Sequence, residues 1–164
     1  IDYVTIATTG NASDFGDLSV SRHSLAACSD GTKGLWGGGH TTNVIDYVTI
    51  ATTGNAIDFG DLTLARYGLA ACSDGTKGVF GGKYNNGDTI DYVTIASTGN
   101  ATDFGDLTVP RGYLAACSDG TKGVFGGGSS SNVIDYVTIA TTGNASDFGD
   151  LTFATSGLTA CSGN

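Results

Sequence analysis

The heptapeptide IDYVTIA begins at Ile1, Ile45, Ile90 and Ile134, so one unit recurs every 44 or 45 residues along a chain of 164. The copies remain nearly identical beyond it: IDYVTIATTGNASDFGDLSV, IDYVTIATTGNAIDFGDLTL, IDYVTIASTGNATDFGDLTV and IDYVTIATTGNASDFGDLTF. A second block follows each, reading SLAACSDGTKGLWGGG, GLAACSDGTKGVFGGK, YLAACSDGTKGVFGGG and finally the shortened GLTACSGN. Self-similarity at this period implies an array or ring of equivalent supersecondary units, each burying its apolar face against the next. Residues 1–164 therefore read as a single repeat domain whose units start at 1, 45, 90 and 134, the last one truncated.

Each unit reads as four short strands. LAAC (Leu25 to Cys28) is a small apolar run, and the Asp-Gly of SDGTK turns the chain back as a tight hairpin. KGLWGGG forms the second strand and the β-branched, Tyr-bearing NVIDYVTIAT the third. After the turn TTGNAS, DFGDLSV returns as the fourth. Composition agrees: all 16 acidic residues are Asp, Glu and Met are missing, Gly supplies 27 residues, and 40% of the chain is apolar. That mixture favours turns and strands over helices and is too apolar for a disordered chain. The expected fold is all-β, built of four-stranded antiparallel blades of about 44 residues as in a β-propeller. A stacked β-repeat array is the alternative.

The blades resemble the kelch repeat. Arg22, Arg66 and Arg111 precede the LAAC strands, Gly37-Gly38, Gly81-Gly82 and Gly126-Gly127 end the second strands, and Tyr3, Tyr47, Tyr92 and Tyr136 follow. Phe15, Phe59, Phe104 and Phe148 stand where that family usually has Trp, and further from the Tyr. The Trp-Asp mark of the WD40 family is missing, and its Gly-His mark does not recur, occurring once at Gly39-His40. The repeat wording also resembles repeat proteins of tailed phages, marine and cyanobacterial ones in particular. That resemblance implies a virion or tail-associated, otherwise extracellular, protein contacting a host surface glycan or protein.

Counted this way the chain supplies two strands, three full blades and one closing strand. The last blade lacks its second strand, so neighbouring copies or further chain would complete it, since exposed strand edges are generally covered.

Variation between units is concentrated in two places. One is the pair after the Arg: His23-Ser24, Tyr67-Gly68, Gly112-Tyr113 and Ser156-Gly157. The other is the connection after the Gly run: His40 to Asn43, Lys83 to Thr89 and Ser129 to Asn132. In an antiparallel blade both lie at one end, opposite the constant SDGTK and TTGNA turns. A rigid scaffold presenting changeable loops is the pattern of a recognition surface. The candidate ligand-binding residues are His23, His40, Tyr67, Lys83, Tyr84, Asn85, Asn86, Tyr113, Ser129 and Ser130. Rings, amides and hydroxyls of this kind suit sugars. Unconstrained drift of these loops is the competing explanation. Arg22, Arg66 and Arg111 are expected to be structural, pairing with Asp residues of neighbouring blades. Asp2, Asp46, Asp91 and Asp135 at strand starts suit hydrogen bonds from backbone or Arg.

The other candidates point to packing. Asn11, Asp14 and Asp17 supply oxygen ligands of the kind Ca²⁺ takes, but their spacing is not that of an EF-hand and suits ordinary turns. Cys28, Cys72, Cys117 and Cys161 fall at one position in successive units, too far apart for disulfides, and read as small buried hydrophobes. Asn11, Asn100 and Asn144 open N-x-[ST] sequons that matter only in a eukaryotic secretory pathway. Both His residues lie in the first unit and no nucleophile motif occurs, so neither catalysis, a metal site nor a cofactor is expected. A net charge of −9 with scattered basic residues argues against nucleic acid, and no apolar run nears the ~20 residues of a membrane span.

Overall fold

The Asp-Gly and Gly-Asn turns fold the repeated strand-forming runs into antiparallel meanders. The structure is a computed structural model that describes residues 1–85 and 87–162. A two-stranded sheet, β1 (Asp2–Tyr3) and β2 (Ser13–Asp14), comes first. Three four-stranded sheets follow. They are β3 (Ala26–Ser29), β4 (Lys33–Gly37), β5 (Val44–Thr49) and β6 (Ile57–Asp61); then β7 (Ala70–Ser73), β8 (Lys77–Lys83), β9 (Gly87–Thr94) and β10 (Thr102–Asp106); then β11 (Ala115–Ser118), β12 (Lys122–Gly126), β13 (Ser131–Thr138) and β14 (Ser146–Thr155). Every pairing is antiparallel between sequence neighbours, and there is no helix among the described residues. The protein is therefore all-β and made of repeated blades.

The first strands face a common axis. β7 packs against both β3 and β11. Cys28, Cys72, Cys117 and Cys161, with their Ala and Ser neighbours, line one axial cavity of about 220 Å³. Apolar side chains fill the seams between blades. One cluster joins Leu35, Ile45 and Phe59 of the first full blade to Phe80, Val93 and Ile95 of the second. The next joins Val79, Ile90 and Phe104 to Phe125, Val137 and Ile139. Full burial of each such side chain contributes roughly 1.5–3 kcal/mol. A bulge aims the Phe of the fourth strand into the seam: the register passes from Asp46↔Asp58 to Ile45↔Gly60, skipping Phe59, and Phe104 is skipped in the same way. Phe59 and Phe104 are 2% exposed and meet Tyr47 and Tyr92 edge-on at 5.8 Å.

The same backbone contacts tie one blade to the next at three successive seams. Phe15 O accepts from Gly54 N at 2.7 Å, Phe59 O from Gly99 N at 2.8 Å and Phe104 O from Gly143 N at 2.8 Å. Asn55, Asn100 and Asn144 accept from the backbone N–H of Asp17, Asp61 and Asp106 at 3.0–3.1 Å. Gly60 fits here because a Cβ on it would lie 2.4 Å from the Gly99 carbonyl oxygen. Lys33 Nζ reaches Ile95 O (2.9 Å) and Ala96 O (3.1 Å) of the following blade, and Lys77 Nζ reaches Ile139 O and Ala140 O.

Three expectations need correction. The arginines pair inside their own blade, not with a neighbour: Arg22–Asp46, Arg66–Asp91 and Arg111–Asp135 lie at 2.8, 3.0 and 2.8 Å, with all six side chains fully buried. Whereas β14 of the third full blade continues through Leu151 and Thr152 to Thr155, the fourth strand of the first two stops at Asp61 or Asp106 and does not run through the following Leu-Thr. There the chain turns inward, because Thr63 N–H and Oγ1 donate to the Asp91 carboxylate at 3.1 and 2.7 Å. Among the described residues fourteen strands form rather than fifteen, since 158–162 is not a strand. It would be an edge with no second strand to pair with.

The cysteines are all free. Cys72 is buried, Cys28 and Cys117 are half-buried and Cys161 is exposed, so the inner-strand expectation fails for Cys161, whose segment forms no strand. A Cβ on Gly78 or Gly123 would come within 2.7 or 2.6 Å of Cys28 or Cys72 Sγ, so each thiol occupies the notch its neighbouring Gly leaves. Burial pushes the Cys28 thiol up to about 12 and raises Cys72 as well.

Removing one partner of a fully buried ion pair leaves the other charge uncompensated, an effect of about 3–5 kcal/mol. Arg66→Ala is accordingly expected to lower unfolding free energy by that amount in urea denaturation. A loss below about 1 kcal/mol contradicts a structural role for the pair.

Candidate functional site

Two kinds of segment build one end of the blades. The residue after each Arg pairs with the connection between second and third strands of its own blade: His40 N–H donates to His23 O at 3.0 Å and Tyr84 N–H to Tyr67 O at 2.9 Å. The next residue links blade to blade. Gly68 N–H donates to Ser24 O, Tyr113 N–H to Gly68 O and Gly157 N–H to Tyr113 O, at 2.9, 2.6 and 2.9 Å. This chain of bonds borders a second axial cavity, about 200 Å³, lined by Ser24, Gly68, Tyr113, Gly157 and the Leu after each.

Five aromatic rings run in an unbroken line beside that opening. His23 stacks on His40 (centroids 5.0 Å apart, 22° between planes), His40 meets Tyr67 at 5.2 Å, Tyr67 meets Tyr84 at 5.0 Å, and Tyr84 meets Tyr113 at 5.4 Å. Tyr113 also touches the edge of Tyr67 at 6.4 Å. The rings come from all three full blades. His23, His40, Tyr84 and Tyr113 are exposed and Tyr67 is half-buried among them. Loss of water contact, and then the phenols of Tyr113 and Tyr84, push the Tyr67 phenol above its ordinary value.

The backbone of this end is under strain. Among the described residues, six other than Gly have positive φ: Ser24 (56°), Thr41 (66°), Asn85 (62°), Tyr113 (56°), Ser129 (49°) and Ser130 (59°). All six belong to the variable segments, whereas the constant turns use Gly wherever φ is positive, as at Gly75 (84°) in SDGTK. A bulky residue in the left-handed region is unusual and costs about 1–3 kcal/mol. At the Tyr113 position the second and fourth units carry Gly68 (67°) and Gly157 (71°), so a strain-free solution exists within the same chain. The exchanged order Gly112-Tyr113 has a local reason: a Cβ on Gly112 would sit 2.5 Å from Tyr84 N. The longer loop of the second full blade lies over that residue.

Of the other nominated residues, Lys83 is half-buried and its N–H donates to Arg111 O at 3.1 Å. Asn85 is exposed at the tip of its turn, and Asn86 lies outside the described residues. Ser129 Oγ accepts from Gly112 N–H at 3.0 Å, holding its loop to its own blade, and Ser130 is exposed beside it. Leu25, Leu69, Leu114 and Leu158, which floor the axial cavity, escape a search for variation because the position is Leu in every unit. The acidic residues gather no metal site: no group of three or more His, Cys, Asp or Glu with that geometry occurs among the described residues.

Chemically, this surface offers ring faces and phenol and imidazole edges on a fixed backbone. No protein-family model matches the chain, and no curated protein matches it.

Strain at Tyr113 separates it from the other rings. Tyr67→Ala should lose about 1 kcal/mol or more of stability with its aromatic contacts. Tyr113→Gly, which removes a ring of the same size, should leave stability unchanged or raise it by up to ~1 kcal/mol as the left-handed strain is relieved. Equal losses in thermal unfolding would show that the Tyr113 backbone stores no strain.

Proposed function

We propose that the chain is a non-enzymatic binding and adhesion module whose aromatic end contacts a glycan or protein on a host surface, as part of a phage virion or tail or otherwise outside the cell. The observation that carries this reading is the line of five rings, His23 to Tyr113, drawn from three blades onto one end. Support also comes from the six left-handed residues of that end, because strain persists where the surrounding scaffold holds it and some use repays it. Aromatic faces with polar tips and a rim of amides and hydroxyls suit sugar rings, which stack on one face and exchange hydrogen bonds at their edges. Recognition of this kind needs no cofactor.

A second reading, a self-assembling structural component of a virion or fibre, draws support from a different observation. Val4, Ile6, Phe148 and Phe153 are exposed at the two ends of the blade series.

Labelled protein is expected to bind candidate host cells, or one of a panel of their polysaccharides, saturably. The Tyr67→Ala/Tyr84→Ala/Tyr113→Ala variant should bind at least about tenfold more weakly, since each aromatic contact contributes roughly 0.5–1.5 kcal/mol. Folded wild-type protein that binds none of them, or a variant that binds as well as wild type, overturns the recognition reading.

A further inference from the structure

The blade series ends in two unmatched faces, and the three internal seams identify what each lacks. On the C-terminal face, Phe148 is skipped by the β13–β14 register just as Phe59 and Phe104 are in their blades. Yet it is 57% exposed where they are 2%. Gly149, unlike Gly60 and Gly105, would meet nothing within 4 Å of an added Cβ. On the N-terminal face, Ile6 is 97% exposed. Its equivalents Ile95 and Ile139, each following a four-stranded blade, are fully buried, and Ile50, which follows only the two-stranded half-blade, is 45% exposed. Gly10 stands at the position of Gly99 and Gly143, whose N–H groups donate to Phe59 O and Phe104 O across closed seams.

We propose that these faces are the two halves of one heterologous joint, in which the N-terminal half-blade of a second copy of this chain seats on β14 of the first. The second copy is the occupant because its N-terminal half-blade carries the residues that close the internal seams. Gly10, Asn11 and Ala12 stand where Gly99, Asn100 and Ala101 cover Phe59, and where Gly143, Asn144 and Ala145 cover Phe104. The joint then follows the internal pattern bond for bond. Gly10 N–H of the second copy donates to Phe148 O and its Ala12 N–H to Asp150 O, while its Asn11 amide oxygen accepts from Asp150 N–H. Lys122, whose ammonium lies 4.7 Å from the Tyr136 ring centre as Lys77 lies 5.0 Å from that of Tyr92, takes the backbone oxygens of Ile6 and Ala7. A heterologous contact leaves each copy one free face, so association adds copies head to tail.

The test uses the full chain and two variants at opposite faces, Ile6→Asp and Phe148→Asp. Both side chains are exposed, so the variants should retain the wild-type circular dichroism. Sedimentation equilibrium of the wild type should show mass rising with concentration. Each variant alone should remain monomeric, because every joint needs both faces. An equimolar mixture should form a one-to-one dimer, since the intact face of one meets the intact face of the other. A wild type that stays monomeric at all concentrations, variants that associate like wild type, or a mixture that forms no dimer overturns the proposal. Both variants should still bind whatever surface the wild type binds, so failure here is distinguishable from failure of the recognition reading.

Discussion

The buried Arg–Asp pair is the interaction on which the blades depend. Each guanidinium donates from Nη2 to the second-strand carbonyl of Trp36, Phe80 or Phe125 at 3.1–3.2 Å, while Nη1 faces the carboxylate on the third strand. The same carboxylate takes the N–H and hydroxyl of Ser19, Thr63 or Thr108, arriving from the preceding blade. One Asp per blade thus fixes the path by which the chain leaves one sheet and enters the next. Burial pulls the Arg66 guanidinium below its ordinary value and Asp91 opposes that shift, the balance expected of a charge kept in the interior only by its partner. The fourth unit carries Thr155 in place of Arg, and Asp2 is exposed. The lock is thus present in three blades and lacking where the series ends.

With the connections fixed, the two ends of a blade serve different purposes. The constant end holds SDGTK, where Asp30 and Asp119 accept backbone N–H bonds that keep their carboxyls below the usual range. It also holds TTGNA, whose backbone closes the seams. Neither segment can change without losing a contact repeated around the axis. The opposite end is tied from blade to blade by backbone bonds, the Ser24–Gly68–Tyr113–Gly157 links together with Gly39 N–H to Arg66 O, Lys83 N–H to Arg111 O and Gly128 N–H to Thr155 O, which leave its side chains free to differ. Three blades with one backbone therefore display His–His, Tyr–Tyr and Gly-Tyr pairs, and the line of rings exists because those differences adjoin across blades.

The blade architecture was legible because the period, the Asp-Gly turns and the β-branched third strand all point to the same meander. The grouping of His23, His40, Tyr67, Tyr84 and Tyr113 could also be read, since antiparallel topology puts both variable segments at one end. Other features were hidden. The seam role of Asn55 and Gly60 depends on a partner about 40 residues away, and Gly and Asn ordinarily mark turns. Whether Arg66 would pair within its blade or across a seam turned on the inward bend at Thr63, which the apolar run DLTL does not announce. The left-handed backbone of Tyr113 shows only when Gly68 and Gly157 are recognised as its counterparts.

The account turns on one end of the blades being the contact surface, and the seven tyrosines provide a built-in comparison. Tyr67, Tyr84 and Tyr113 lie on the variable end, while Tyr47, Tyr92 and Tyr136 lie beneath Lys33, Lys77 and Lys122. The most direct measurement is NMR of ring-labelled tyrosine during titration with oligosaccharides of host-surface polysaccharides. The account predicts saturable shifts at Tyr67, Tyr84 and Tyr113, with Tyr47, Tyr92 and Tyr136 unmoved. Shifts confined to the lysine-covered rings, or none at any ring across the panel, would contradict it.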